Sequence, residues 1–152
     1  MKTEEFLKRA GVRYEKHEHP ITYTAQELAA AEHVTGDAVA KSVLVQADGK
    51  NVLCVLPASH KIDLGKLAKV LRARKCRLVD EAEMARLFPE AEVGAEGPFG
   101  KPYGLKTLVD QHLAERDVIT FTADSHRQAI RIDYADYARL AEPAVADFSA
   151  HL

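Results

Sequence analysis

Between Val93 and Gly104 the chain places four glycines and two prolines in twelve residues, Val-Gly-Ala-Glu-Gly-Pro-Phe-Gly-Lys-Pro-Tyr-Gly. Such a stretch is neither regular helix nor interior strand, because glycine opens positive φ while Pro98 and Pro102 fix φ and restrict the residue before each of them. It is a shaped loop, and the rest of the chain must hold its two ends. Two readings follow from the loop alone: a connector built of tight turns, or a platform that offers backbone N–H groups to a small ligand.

The flanking segments carry local signals for their own conformations. Acids in the first turn, bases in the last and Gly11 at the end predict a helix after Thr3. Val12 to His17 reads as a strand. Thr24-Ala25-Gln26-Glu27 is a capping box for a helix through about Glu32. Asp63 caps a helix with the apolar stripe Leu64, Leu67, Ala68 and Leu71, and Asp80 caps another that stops at Pro89. Asp133 caps a last helix through Leu140. Val39–Ala47 and Asn51–Leu56, joined across Asp48-Gly49, form a β-hairpin. Cys76–Val79, Leu105–Val109, Val118–Thr122 and Ala129–Ile132 read as further strands, and the tail after Pro143 as short and loosely packed. About seven strands and five helices without βαβ alternation predict an α+β fold with a mainly antiparallel sheet. No linker or repeat divides residues 1–152, so one domain is expected.

Composition narrows the function classes. No apolar run reaches spanning length and the N-terminus carries acids where a signal peptide needs an apolar core, so a cytoplasmic protein with no membrane association is expected. Cys54 and Cys76 lie in apolar runs with no metal-binding spacing, which predicts structural thiols. Charge is uneven: Lys61, Lys66, Lys69, Arg72, Arg74, Lys75 and Arg77 face a single acid, Asp63, within one segment, while the whole chain carries −2. That segment is either a nucleic-acid footprint or a solvated helix face. His17 and His19 form an HxH pair, read as solvent-exposed because zinc sites need three or four ligands. His60, His112 and His151 read as loop or surface residues. Alternation puts Lys41 on one face with Val43 and Val45, where its ammonium either snorkels to water or meets an anion. Tyr23, Phe99 and Tyr103 either pack or stack a base, with Phe99 preferred because it lies inside the loop. No GxSxG elbow, HExxH motif or Cys/His pair marks a protein nucleophile or a catalytic metal.

Lys41 at a strand start, Gly94-Ala95-Glu96-Gly97-Pro98-Phe99-Gly100, and Ser125-His126 before a final strand and helix together resemble the YbaK/prolyl-tRNA synthetase editing-domain family. The resemblance covers nearly the whole chain, with the GxxxP motif on Gly94 and Pro98, the family lysine on Lys41 and its late histidine on His126. It implies a barrel-like curled sheet surrounded by helices, and a trans-editing deacylase that hydrolyses mischarged tRNA, first of all tRNA(Pro) carrying alanine, with serine or threonine next. In that scheme Lys41, Gly94, Pro98 and His126 are catalytic. Ala25, Leu28, Ala95, Glu96, Gly97, Phe99, Gly100 and Ser125 bind substrate, and Lys41 meets the phosphate or ribose at the CCA end of the tRNA, whose CCA end and acceptor stem are the expected partner. On the charge footprint alone, Lys61, Lys66, Lys69, Arg72, Arg74 and Lys75 are candidate tRNA contacts. Catalysis is substrate-assisted, no cofactor or metal is expected, and a synthetase is a transient partner. The alternative is a non-catalytic tRNA or nucleic-acid binding module of the same fold. The chain departs from its relatives at Gly97, often a second proline, which implies a more mobile loop. It departs again at Asp124, often glycine, which tolerates a left-handed turn but adds negative charge beside the site.

Overall fold

The computed structural model describes all 152 residues. The helices are α1 (Thr3–Ala10), α2 (Ala25–Ala31), α3 (Leu64–Leu71), α4 (Glu81–Leu87), α5 (Gln111–Ala114) and α6 (Tyr134–Ala141). The strands are β1 (Glu15–Glu18), β2 (Ala40–Ala47), β3 (Lys50–Pro57), β4 (His60–Ile62), β5 (Cys76–Leu78), β6 (Lys106–Asp110), β7 (Val118–Thr122), β8 (Gln128–Asp133), β9 (Ala144–Ala146) and β10 (Ser149–His151).

Local chemistry forms the helices where the sequence signals them. Thr24 accepts from the Glu27 N–H at 3.0 Å, Asp63 from the Lys66 N–H at 3.0 Å and Asp80 from the Glu83 N–H at 2.8 Å, each satisfying one orphan donor of a first turn. Asp133 holds the N-cap position of α6 without a side-chain bond. In the β2–β3 hairpin, Asp48 and Gly49 have φ of 47° and 82°. Two successive positive values match the twist of the flanking strands, which is why Asp-Gly marks this turn.

The strands assemble differently from the barrel-like sheet implied by resemblance. A five-stranded sheet runs β5-β2-β3-β6-β9 and a three-stranded one runs β1-β8-β7, joined by a single bridge between Val39 and Thr120; β4 and β10 pair separately. No closed barrel forms. There are ten strands and six α-helices rather than seven and five, and β3–β6 and β6–β9 are parallel. The tail is also corrected: β9 extends the main sheet, β10 pairs with β4, and the Phe148 side chain is fully buried. Burying one phenyl ring gives a tail a reason to dock.

The main core gathers Leu7, Leu44, Leu53, Val55, Phe88, Phe99, Val109, Phe121, Ile130 and Tyr137 between the two larger sheets and helices α1 and α6. Cys54 is buried and its thiol is pushed up to about 12, chiefly by desolvation, so it is inert as expected of a structural cysteine.

Candidate active site

A cavity of about 190 Å³ opens where α2, the start of β2 and the Gly/Pro loop meet the β7–β8 turn. Its lining includes Lys41, Gly94, Glu96 and His126 together with Ala25 and Leu28 of α2. Six residues implicated by resemblance thus converge from four separate segments. Pro98, Ala95, Gly97, Phe99, Gly100 and Ser125 do not line it. A wider groove of about 500 Å³ between Val12–Glu15 and Arg131–Asp133 carries none of them.

Lys41 is half-buried and forms no ion pair, and desolvation lowers its ammonium from the ordinary value. A cation in that state gains from any anion placed beside it. His126 is buried, and its Nε2 lies 2.8 Å from the Val93 carbonyl oxygen. A carbonyl only accepts, so Nε2 carries the proton and Nδ1 is left as an acceptor. The exposed ring of Tyr23 stands against the His126 ring, with centroids 5.1 Å apart at 51°.

The Gly/Pro loop is closed inward. Gly94 has φ 86°, and its N–H donates to Glu96 Oε1 at 3.1 Å. Ala95 donates to the Glu92 carbonyl, Gly97 to Asp124 and Gly100 to the Thr107 hydroxyl. The loop therefore does not present a row of free N–H groups. Its donors hold the loop's own shape, and the polar group it offers the cavity is the Glu96 carboxyl. Burial raises that carboxyl above its ordinary value, against lowering hydrogen bonds from the Glu96 and Gly94 backbone. Pro98 is buried, with its carbonyl accepting from the Tyr137 hydroxyl at 2.9 Å.

Both departures from the family pattern serve this closure. A Cβ on Gly97 would stand 2.1 Å from Thr3 Oγ1, so the loop is pinned against α1 and is not looser there. Asp124 does adopt the left-handed conformation, with φ 66°, but its carboxylate points away from solvent and is 6% exposed. It accepts from Thr3 N at 2.6 Å, Thr3 Oγ1 at 3.0 Å and Gly97 N at 3.4 Å.

The aromatic preference is also corrected. Phe99 is 2% exposed and packs on Phe6, Phe121 and Tyr137, so it cannot stack a base; a wholly apolar core claims it. Tyr103 packs on Phe88 and donates to the Met1 carbonyl. Tyr23 is the accessible ring. Sequence reasoning missed Thr22, Thr24, Ser42, Val43 and Thr122 in the lining. Ser42 and Val43 adjoin Lys41 and were within reach of it; Thr22 and Thr122 arrive by tertiary folding. Thr22 Oγ1 is buried and has no hydrogen-bond partner within the chain.

Among the basic residues, Lys61, Lys69, Arg72, Arg74 and Lys75 are exposed and unpaired. Lys66 pairs with Asp147 at 3.2 Å and Arg77 with Glu83 at 3.3 Å. His17 is held by Glu32 at 2.7 Å and Glu15 at 3.3 Å. The surface expectation holds for His151, which is exposed, and is corrected for His60, which is 6% exposed with the His112 ring tilted against it and the His151 ring edge-on to it. No helix is long and apolar enough to cross a membrane.

Comparison with known proteins places these features in a lineage. The family model of the aminoacyl-tRNA editing domain matches residues 19–140. A proline–tRNA ligase of Leuconostoc citreum (strain KM20) is 27% identical over 137 residues, which are 88% of this chain and 24% of the ligase. The multifunctional Ser/Thr-tRNA deacylase ProXp-y of Escherichia coli (strain K12) is 34% identical over 107 residues, 68% of this chain and 64% of that protein. The chain thus spans about a quarter of the first and under two thirds of the second. A crystal structure described as a candidate trans-editing enzyme for prolyl tRNA synthetase shares the fold, with TM-score 0.86, 21% identity and coverage of 97% and 94%.

Proposed function

Since the chain belongs to the aminoacyl-tRNA editing domain family, we propose that it hydrolyses the ester joining a wrong amino acid to the terminal adenosine of a tRNA. The observation that carries this reading is Lys41, a half-buried, unpaired cation in the same cavity as Gly94, Glu96 and His126. A pocket of about 190 Å³ suits a small amino acid and a ribose.

In this reading Lys41 meets the phosphate or ribose oxygens of the CCA end, which restores the stability of its charge. The Glu96 carboxylate accepts the substrate α-ammonium. As it turns to do so it releases the Gly94 N–H, which then faces the ester carbonyl. Water attacks the carbonyl carbon, the tetrahedral intermediate collapses, the C–O bond to the ribose breaks, and the ribose oxygen takes up a proton. The adenosine 2′-hydroxyl orients the water, and the His126 Nδ1 accepts from a ribose hydroxyl. The ester is activated already, so positioning and charge stabilisation supply the rate without a protein nucleophile. Tyr23 stacks the terminal base at the mouth.

The lining includes four aliphatic hydroxyl residues, Thr22, Thr24, Ser42 and Thr122, besides Tyr23. A wall lined with hydroxyls favours a substrate that can hydrogen-bond to them. Serine or threonine therefore ranks ahead of alanine as the amino acid removed. The test is release of amino acid from alanyl-, seryl- and threonyl-tRNA by purified protein, with Lys41→Ala alongside. Release that requires Lys41 supports the reading, and intact esters on tRNA that still binds would leave a binding module in its place.

A further inference from the structure

Away from the editing cavity, four distant segments bring together His60 at the start of β4, His112 in α5, His151 at the end of β10, and Asp37 in the 3-10 turn Gly36–Ala38. They line a cavity of about 570 Å³ with Ser149. The His60 ring lies 4.7 Å from that of His112 and 5.1 Å from that of His151, centroid to centroid. One ring nitrogen each from His60 and His151 and one oxygen of Asp37 all lie within 4.8 Å of one another.

The second nitrogens are already committed. His151 Nδ1 lies 3.0 Å from the Leu152 carbonyl oxygen and His112 Nδ1 lies 2.7 Å from Asp110 Oδ1. Both partners accept, so both Nδ1 atoms carry the proton and each ring keeps its lone pair on Nε2. His60 Nδ1 is 2.9 Å from Ser149 Oγ, which leaves its Nε2 equally unengaged. Imidazoles oriented by a carboxylate, a backbone carbonyl or a hydroxyl through one nitrogen are the arrangement metal-ligating histidines need. Two of these imidazoles, His60 and His151, lie beside the Asp37 carboxylate, and His112 adjoins His60.

We propose that Asp37, His60 and His151 form a binding site for a divalent transition metal ion such as Zn²⁺, with His112 adjoining. Two imidazoles and a carboxylate, with water completing the shell, are a donor set that zinc accepts. Bonds of about 2.1 Å imply donors some 3.4 Å apart. The ligands need to close in by at most about 1.5 Å; Asp37 and His151 are exposed, and Asp37 Oδ1 accepts from the Ser59 hydroxyl, which orients the carboxylate. The surrounding charge permits a cation. Lys66 is occupied by Asp147 and the Ser149 carbonyl, while Arg116 and Glu115 line the same wall. After the Ser59 hydroxyl, Arg116 is close enough to help hold the Asp37 carboxylate charged, the form a metal ion takes. The ion ties the Gly36–Ala38 turn to the separate β4–β10 sheet, so its role is structural and independent of the editing chemistry.

The test is titration of chelator-treated protein with Zn²⁺ by calorimetry and with Co²⁺ by visible absorption. One ion binds per chain, gives the intense d–d bands of a four- or five-coordinate Co²⁺, and raises the thermal midpoint. His151→Ala and Asp37→Asn, both at exposed positions, each weaken binding by about tenfold or more. A His17→Ala/His19→Ala variant binds as the parent does. Absence of stoichiometric binding overturns the proposal. So does binding that survives His151→Ala and Asp37→Asn, or that is lost with His17 and His19.

Discussion

The carboxylate of Asp124 accepts the backbone N–H of Thr3 at 2.6 Å, across 121 residues of chain. With its bonds to Thr3 Oγ1 and Gly97 N, it ties the first turn of α1, the Gly/Pro loop and the β7–β8 turn together. The same turn carries His126, whose ring reaches back to Val93 at the loop's entry. The cavity lined by Lys41, Glu96 and His126 therefore owes its shape to a buried acid that lies outside its lining.

Replacing Asp124 by Ala leaves two buried donors on Thr3 unpaired and costs about 1–3 kcal/mol of stability. The pH dependence is separable with Asp124→Asn. Burial raises the Asp124 carboxyl above its ordinary 3.8, against the opposing hydrogen bonds from Thr3 and Gly97. A raised folded value means that the stability gained from its proton is complete below 3.8 and is lost as pH rises through the folded value. Urea denaturation across mildly acid pH therefore shows wild type losing stability relative to Asp124→Asn as pH increases; a relative gain would show a depressed carboxyl instead.

Gly97→Ala destabilises the chain by about 1–3 kcal/mol through overpacking, because the added methyl meets Thr3 Oγ1 and Cγ2 within 2.8 Å. Thr3 cannot turn aside without breaking its bond to Asp124. The double variant Gly97→Ala/Thr3→Ala recovers part of the loss, so a double-mutant cycle shows a coupling of about 0.5–3 kcal/mol. Additive effects would mean that the two residues do not press on each other.

Tyr23→Ala raises KM for charged tRNA by a factor set by about 1–3 kcal/mol of stacking energy, while Tyr23→Phe keeps the parent value. Steady-state kinetics on the two variants decides this. Equal behaviour of both would assign Tyr23 no role in holding the base.

Neutralising Lys61, Lys69 and Arg72 together lowers tRNA affinity and flattens its salt dependence, by nearly one unit of slope for each phosphate that these cations no longer neutralise. Filter binding over a salt series measures it. An unchanged slope returns that segment to the role of a solvated face.

How much of the molecule is legible in its sequence follows the range of the forces involved. Thr24, Asp63 and Asp80 cap their helices through bonds three residues long, and Asp48-Gly49 bends a hairpin through its own dihedrals, so each is legible locally. The parallel partnership of β3 with β6 and the docking of β9 and β10 depend on strands far apart in sequence, which no local pattern encodes. Six residues of the cavity are marked by resemblance, but Thr22 and Thr122 have no motif. Gly97 reads as looseness because its constraint, Thr3, lies at the other end of the chain. Phe99 reads as a base platform because its loop suggests exposure, whereas three aromatic neighbours enclose it. The histidines at 60, 112 and 151 have no shared spacing and meet only through the fold.

The most direct measurement is amino-acid release from seryl-, threonyl- and alanyl-tRNA by wild type and by Lys41→Ala under single-turnover conditions. The account predicts hydrolysis by wild type, fastest on a hydroxyl-bearing amino acid, and a loss of about 10²-fold or more in the variant, the scale on which removal of one transition-state electrostatic interaction acts. Circular dichroism should show an unchanged fold. Hydrolysis that continues at the parent rate without Lys41 would contradict it, as would esters left intact by a folded wild-type protein.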